Sequence, residues 1–248
     1  MSNTQNFQIS GASGFSIGGI NQNDYQNDQE SIVPTETIGQ AQRVRVLFLA
    51  ACPSGAPPLR LDQEIKAIQE ALRMSKNGER FEVEQSWAAG DRELQDGLLR
   101  YTPDLVHISA HGSRTGQILL DPGSPMRDMG PRPAPVMRPE DLWLQGLIRV
   151  FAAARGRIRC VVLNACHSEP VAQALAQVVG CVVGMSDAIE DAAAIRFSGS
   201  FYSALGYGMS VKVAFDLAMG QIAMAGLRTS EVPRLITAGV SPEDLTFG

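Results

Sequence analysis

From Arg43 onward, apolar positions alternate between two rhythms. VRVLFLAA (44–51) is an unbroken apolar run ending at Pro53, which predicts a strand buried on both faces. Leu61, Ile65, Ile68 and Leu72 recur at helical spacing and predict an amphipathic helix over 60–75. FEVEQSWA (81–88) predicts a second strand, and residues 91–101 a short helix. DLVHISA (104–110), RCVVLNA (159–165) and CVVGM (181–185) predict three more strands. QILLD (117–121) belongs to a short hairpin, and the stretch 122–138 is rich in turns. Helices are predicted over 140–154 and 169–178. One more holds Ile195, Phe201 and Leu205, and another Val211, Phe215, Ala218, Ile222 and Ala225. The expected fold class is therefore α/β, a mostly parallel central sheet with helices on both faces. No internal repeat is visible.

Residues 1–42 break this rhythm, so the expected organisation is an N-terminal segment over 1–42 and one folded domain over 43–248. The segment is rich in Gly, Ser, Asn and Gln, with isolated apolar residues at Phe7, Ile9, Phe15, Ile17 and Ile20. Such a composition cannot pack a core, and the plain reading is a disordered tail. A sharper reading rests on FQISGASGFSIGGINQN (7–23), whose alternation and Asn/Gln content without Pro suit stacked cross-β strands. This stretch is similar to the amyloid-type signalling motifs at the ends of bacterial immune and cell-death proteins. The resemblance implies recruitment by an upstream sensor through residues 7–23.

Composition narrows the class. The 248 residues, 44% hydrophobic, suffice for one sizeable core. A net charge of -5 without a basic stripe argues against a nucleic-acid or membrane-surface partner. No run approaches the roughly 18 apolar residues of a membrane span, and no secretory signal is visible. Four cysteines without framework spacing read as free thiols, so a cytoplasmic location is expected.

In an open parallel sheet, sites form at the carboxyl ends of strands. DLVHISA runs into His111-Gly112, and RCVVLNA runs into Cys166-His167-Ser168. If those strands are neighbours, their ends lie about 5 Å apart and a thiol meets an imidazole at the rim. A thiol attacks a carbonyl only as thiolate, so it needs a base, and that base can then protonate a departing amine. The resulting oxyanion is most simply held by backbone N–H groups, here those of Gly112 and Cys166. Neither a metal nor another cofactor is expected.

HISAHG (107–112) and VVLNACHS (161–168) resemble the two active-site signatures of the CHAT peptidases, bacterial relatives of caspases and separase. GMSDAIEDAAAIRFSGSFYSALGYGMSVKVAF (184–215) is similar to the family's segment after the cysteine, so the likeness spans about residues 44–227. It implies a caspase-hemoglobinase fold and a cysteine endopeptidase with a Cys166-His111 dyad. The implied task is limited proteolysis of a protein partner, with bacterial defence or regulated cell death as the setting. Family habit points to a cell-death effector such as a gasdermin-like protein. Separase-like relatives receive a basic P1 side chain on an acidic residue in this region, which makes Asp187 and Asp191 equal candidates for substrate binding.

Ordinary readings stand beside these. Cys160 and Cys181 lie inside apolar strands and read as core. His107 lies about 13 Å below His111 and reads as a hydrogen-bonded support, His167 as a loop residue. Asp187, Glu190 and Asp191 also suit a solvated helix start. The loop 122–138 either borders a substrate groove or is a variable insertion. The alternative function is a catalytically silent caspase-like scaffold, whose expected mark would be a damaged dyad. A nucleotide-binding fold would want a glycine fingerprint that CPSGAPP (52–58) does not supply.

Overall fold

The computed structural model describes residues 43–121, 139–154 and 156–247, and residues 7–23 and 122–138 lie outside them. The chain divides into Met1–Gln40 and Ala41–Gly248, and every described residue belongs to the second unit. Along the chain come β1 (Val44–Ala50), α1 (Leu61–Met74), β2 (Phe81–Trp87), α2 (Asp91–Tyr101), β3 (Leu105–Ser109), β4 (His111–Gly112) and β5 (Ile118–Leu119). There follow α3 (Pro139–Ala154), β6 (Cys160–Asn164), α4 (Glu169–Val179), β7 (Cys181–Met185), α5 (Asp191–Gly206), α6 (Val211–Met224) and β8 (Pro233–Thr237).

The larger sheet has the order β2-β1-β3-β6-β7-β8, parallel except for the last strand. Its middle strands are the apolar runs: every residue of β3, β6 and β7 is buried. Alternate residues of these strands serve two cores. Phe48, Leu105 and Val162 face Ile68 of α1, Phe197 and Phe201 of α5 and Ala218 of α6. Leu47, Val106 and Leu163 face Leu94 of α2, Phe151 of α3 and Leu175 of α4. The expected α/β architecture, with helices on both faces of a mostly parallel sheet, is the one observed.

β8 was not among the expected strands. It pairs antiparallel with β7 at the sheet edge, and its residues are mostly half-buried or exposed, so it has no continuous apolar run. Pro233 at its first position is compatible only with such an edge.

The chain runs from β1 to β2 on one side of β1 and returns to β3 on the other. Strand order reverses there, which opens a crevice beyond the carboxyl ends of β1 and β3. β6 lies next to β3, with Ser109 opposite Asn164. Among the described residues, no helix is long and apolar enough to cross a membrane.

Candidate active site

Beyond Ser109 and Asn164 the two central strands stay together, with Ala110 N–H donating to Asn164 O at 3.3 Å. His111 and Gly112 then turn into the small β4–β5 hairpin, opposite Leu119 and Ile118. Gly112 lies hard against the backbone of Cys166. A Cβ added there would sit 1.7 Å from Cys166 O and 2.9 Å from Cys166 N, so only glycine fits. This close approach, not a left-handed backbone, is the reason for the glycine after His111.

Cys166 occupies a four-residue turn in which Ser168 N–H donates to Ala165 O at 3.3 Å. The third residue of the turn, His167, has φ of 56°, a left-handed conformation that histidine tolerates better than most residues. Ser168 closes the turn from below. Fully buried, its Oγ donates to Leu163 O at 3.1 Å and accepts from Met185 N–H at 3.0 Å, tying β6 to β7. Cys166 is thereby lifted to the rim, half-buried, with its thiol 4.0 Å from Ile189 O. Among the described residues nothing accepts the Cys166 N–H. Ser113 N–H donates to Gln117 O, and alternation along an antiparallel ladder then places Gly112 in a non-hydrogen-bonded pair. Its N–H is therefore aimed away from β5.

His111 Nε2 lies 2.8 Å from Pro57 O, in the connection between β1 and α1. A carbonyl can only accept, so Nε2 carries a proton, and in the neutral ring the lone pair is left on Nδ1. The ring is thus fixed in the tautomer of a base. His111 and Cys166 border one narrow cleft of ≈ 40 Å³, whose other walls include Leu59, Arg60, Asn164 and Ile189. Asp191, the first residue of α5, borders the same cleft, and its carboxylate pairs with Arg60 at 3.5 Å. Asp187 stands outside it. Its side chain is 72% exposed, 3.5 Å from His167 Nδ1, and caps the Ala188 N–H at 2.7 Å.

Beneath the cleft lies a buried polar cluster. His107, fully buried, places Nε2 2.8 Å from Glu64 Oε1 and Nδ1 3.2 Å from Tyr202 OH. Ser109, Asn164 and Ser198 also bond Glu64. Burial pushes the Glu64 carboxyl up, but attraction to His107 and the bonds from His107, Ser109 and Asn164 outweigh it and hold it below its usual range. Pro57, Asn164 and Glu64 did not figure in the sequence reading. Only Glu64 carries a signal, a carboxylate falling on the apolar stripe of α1 between Leu61 and Ile65. Cys160 and Cys181 are core thiols, and the hydrogen bond that the Cys160 thiol shares with Cys181, together with burial, pushes Cys160 well up.

Residues 38–229 match the family model described as CHAT domain. The chain belongs to the CHAT domain family. A Roc-COR-CHAT protease from an unknown prokaryotic organism is 26% identical over 185 residues, covering 72% of this CHAT chain and 16% of that protein. A probable protease from Gillisia limnaea is 22% identical over 168 residues, covering 68% of this chain and 28% of that one. The chain therefore spans well under two thirds of the length of either relative. Among solved structures, a secreted C11 cysteine protease from Bacteroides thetaiotaomicron, in complex with an irreversible peptide inhibitor, superposes at a TM-score of 0.48 with 11% identity. That match covers 82% of this CHAT chain and 64% of the other.

Proposed function

We propose that this CHAT chain is a cysteine endopeptidase that cuts a protein partner at a limited number of sites. The observation that carries the reading is the Gly112–Cys166 backbone contact, which brings both strand ends to one cleft. His111 Nδ1 takes the Cys166 proton, and the thiolate attacks the scissile carbonyl carbon. The Gly112 and Cys166 amides receive the oxyanion. The imidazolium then protonates the departing amine as the C–N bond breaks, leaving a thioester that water hydrolyses. Pro57 O keeps the imidazole oriented throughout. In this reading Asp191, rather than Asp187, meets the P1 side chain, a choice supported by its position on the border of the cleft.

The setting we propose is cytoplasmic immune or cell-death signalling in a bacterium, with a gasdermin-like or other effector as the substrate. Residues 7–23 would bring the peptidase to an activated sensor by strand stacking.

The test is a diverse peptide library digested by the full chain, by Cys166→Ala and by His111→Ala, with cut sites read by mass spectrometry. Cutting lost in both variants is the expected result. Cutting that survives Cys166→Ala removes the proposal.

A further inference from the structure

A groove beside the cleft has no part in the reaction above. α1 and α5 both start at the cleft, where Arg60, just before α1, pairs with Asp191 at the head of α5. From there the two helices run side by side. A Cβ added to Gly199 would lie 3.6 Å from that of Ala67, and at the far end Tyr207 OH donates to Met74 O at 3.3 Å. α6 follows α5 after a short connection, and its Gln221 Oε1 accepts from Arg196 Nη1 at 3.5 Å, so α6 runs back towards the cleft. Between these neighbours α5 contributes Gly199, Ser200 and Ser203, whose short side chains leave a groove of ≈ 950 Å³.

Arg60 and Ile195 border both the cleft and the groove, so a chain leaving the cleft on this side meets the near end of the groove. Arg196 is exposed and lies five residues into α5, about 7.5 Å along the axis from Asp191. Among the described residues no carboxylate pairs with it. The other charges of the groove are answered, Arg60 by Asp191 and Glu70 by Arg73 at 3.9 Å. One turn of α6 farther from the cleft than Gln221 stands Leu217, 51% exposed. The groove thus joins an unanswered cation near the cleft to an apolar wall beyond it.

We propose that this groove docks the substrate protein itself, taking the segment next to the scissile bond by an acidic residue on Arg196 and an apolar residue on Leu217. This inference rests on the peptidase reading. At about 3.3 Å per residue, an extended chain passes from Asp191 to Arg196 in two or three residues and reaches Leu217 about two residues later. The acidic residue therefore belongs about three to five residues from the cut, and the apolar one beyond it.

The experiment digests one library of long, proteome-derived peptides with the full chain, with Arg196→Glu and with Leu217→Asp. Mass spectrometry aligns the residues around every cut, and melting temperature serves as the folding control. The wild type should favour Asp and Glu over Lys and Arg by about fivefold at one such position, the size of an exposed ion pair. Arg196→Glu should invert that preference, and Arg196→Ala should abolish it without inverting it. Leu217→Asp should remove the apolar preference farther out. The residues flanking the scissile bond should stay the same throughout, because neither side chain borders the cleft.

Identical profiles for wild type and Arg196→Glu overturn the inference and leave the peptidase reading standing. An equal loss of cutting on every peptide does the same, since it makes the groove structural. So does a wild-type dimer that Leu217→Asp splits without altering the profile, because a second copy then covers the groove. No cutting of any peptide by the wild type sinks the peptidase reading, and this inference with it.

Discussion

Gly112 carries the tightest steric demand of any single residue in the site. Its missing side chain lets the hairpin lie on the Cys166 peptide, and a methyl group there would overlap Cys166 O. Gly112→Ala must push the histidine and cysteine ends apart, and a displacement of about 1 Å can cost 100-fold in rate. We expect kcat/KM to fall about that far while the chain still melts cooperatively. A variant with wild-type activity would show that the contact does not set the reacting geometry. Glu64 carries an electrostatic demand instead. Its folded pKa is lowered, so the stability its ionised form contributes is complete above the ordinary value of 4.5. That contribution is lost as pH falls through the folded value. The gap in melting temperature between wild type and Glu64→Gln should therefore be constant near pH 7 and change in the wild type's disfavour below about pH 4.5. A gap independent of pH would mean that the carboxylate gains nothing from its partners.

Between elements, the joint that matters most is Ser168. A serine just before α4 looks like a helix cap, yet it makes no side-chain capping bond. Its hydroxyl spans β6 and β7 instead. Ser168→Ala leaves the buried Met185 N–H without an acceptor, at a cost of about 1–3 kcal/mol. We expect the melting temperature to drop by about 3–10 °C, with activity falling further than stability as the turn bearing Cys166 loosens. An unchanged melting temperature would argue that Met185 N–H finds another partner. The elements themselves were legible because the sheet interior is written in unbroken apolar runs, and α1, α5 and α6 in helical spacing. β8 was not, since an edge strand buries too little to need such a run. The rim of the site showed the same division. His111-Gly112 and Cys166 announce themselves as reactive residues at strand ends. Pro57 acts through a carbonyl that every residue possesses, and Asn164 through an amide orientation that only its partner decides.

Among the described residues, the cleft, the two cores and the buried cluster all lie within 43–247. The division of labour we propose puts chemistry in 43–248 and recruitment in the segment before it, where Phe7, Ile9, Phe15 and Ile17 alternate with small or polar residues. Stacking would raise local concentration without touching the reacting groups, an effect of the kind that linked binding sites produce. Removing residues 1–30 should then leave the melting temperature and the cutting of short peptides unchanged. The same deletion should abolish cutting of the protein substrate when an upstream signal is supplied in cells. Replacing Phe7, Ile9, Phe15 and Ile17 together by serine, in the full-length chain, should have the same effect as the deletion, because the apolar alternation is what strand stacking needs. Undiminished signalling in both would remove the recruitment role and leave the segment as a tail, while loss of peptide cutting in either would place part of the catalytic machinery before Arg43.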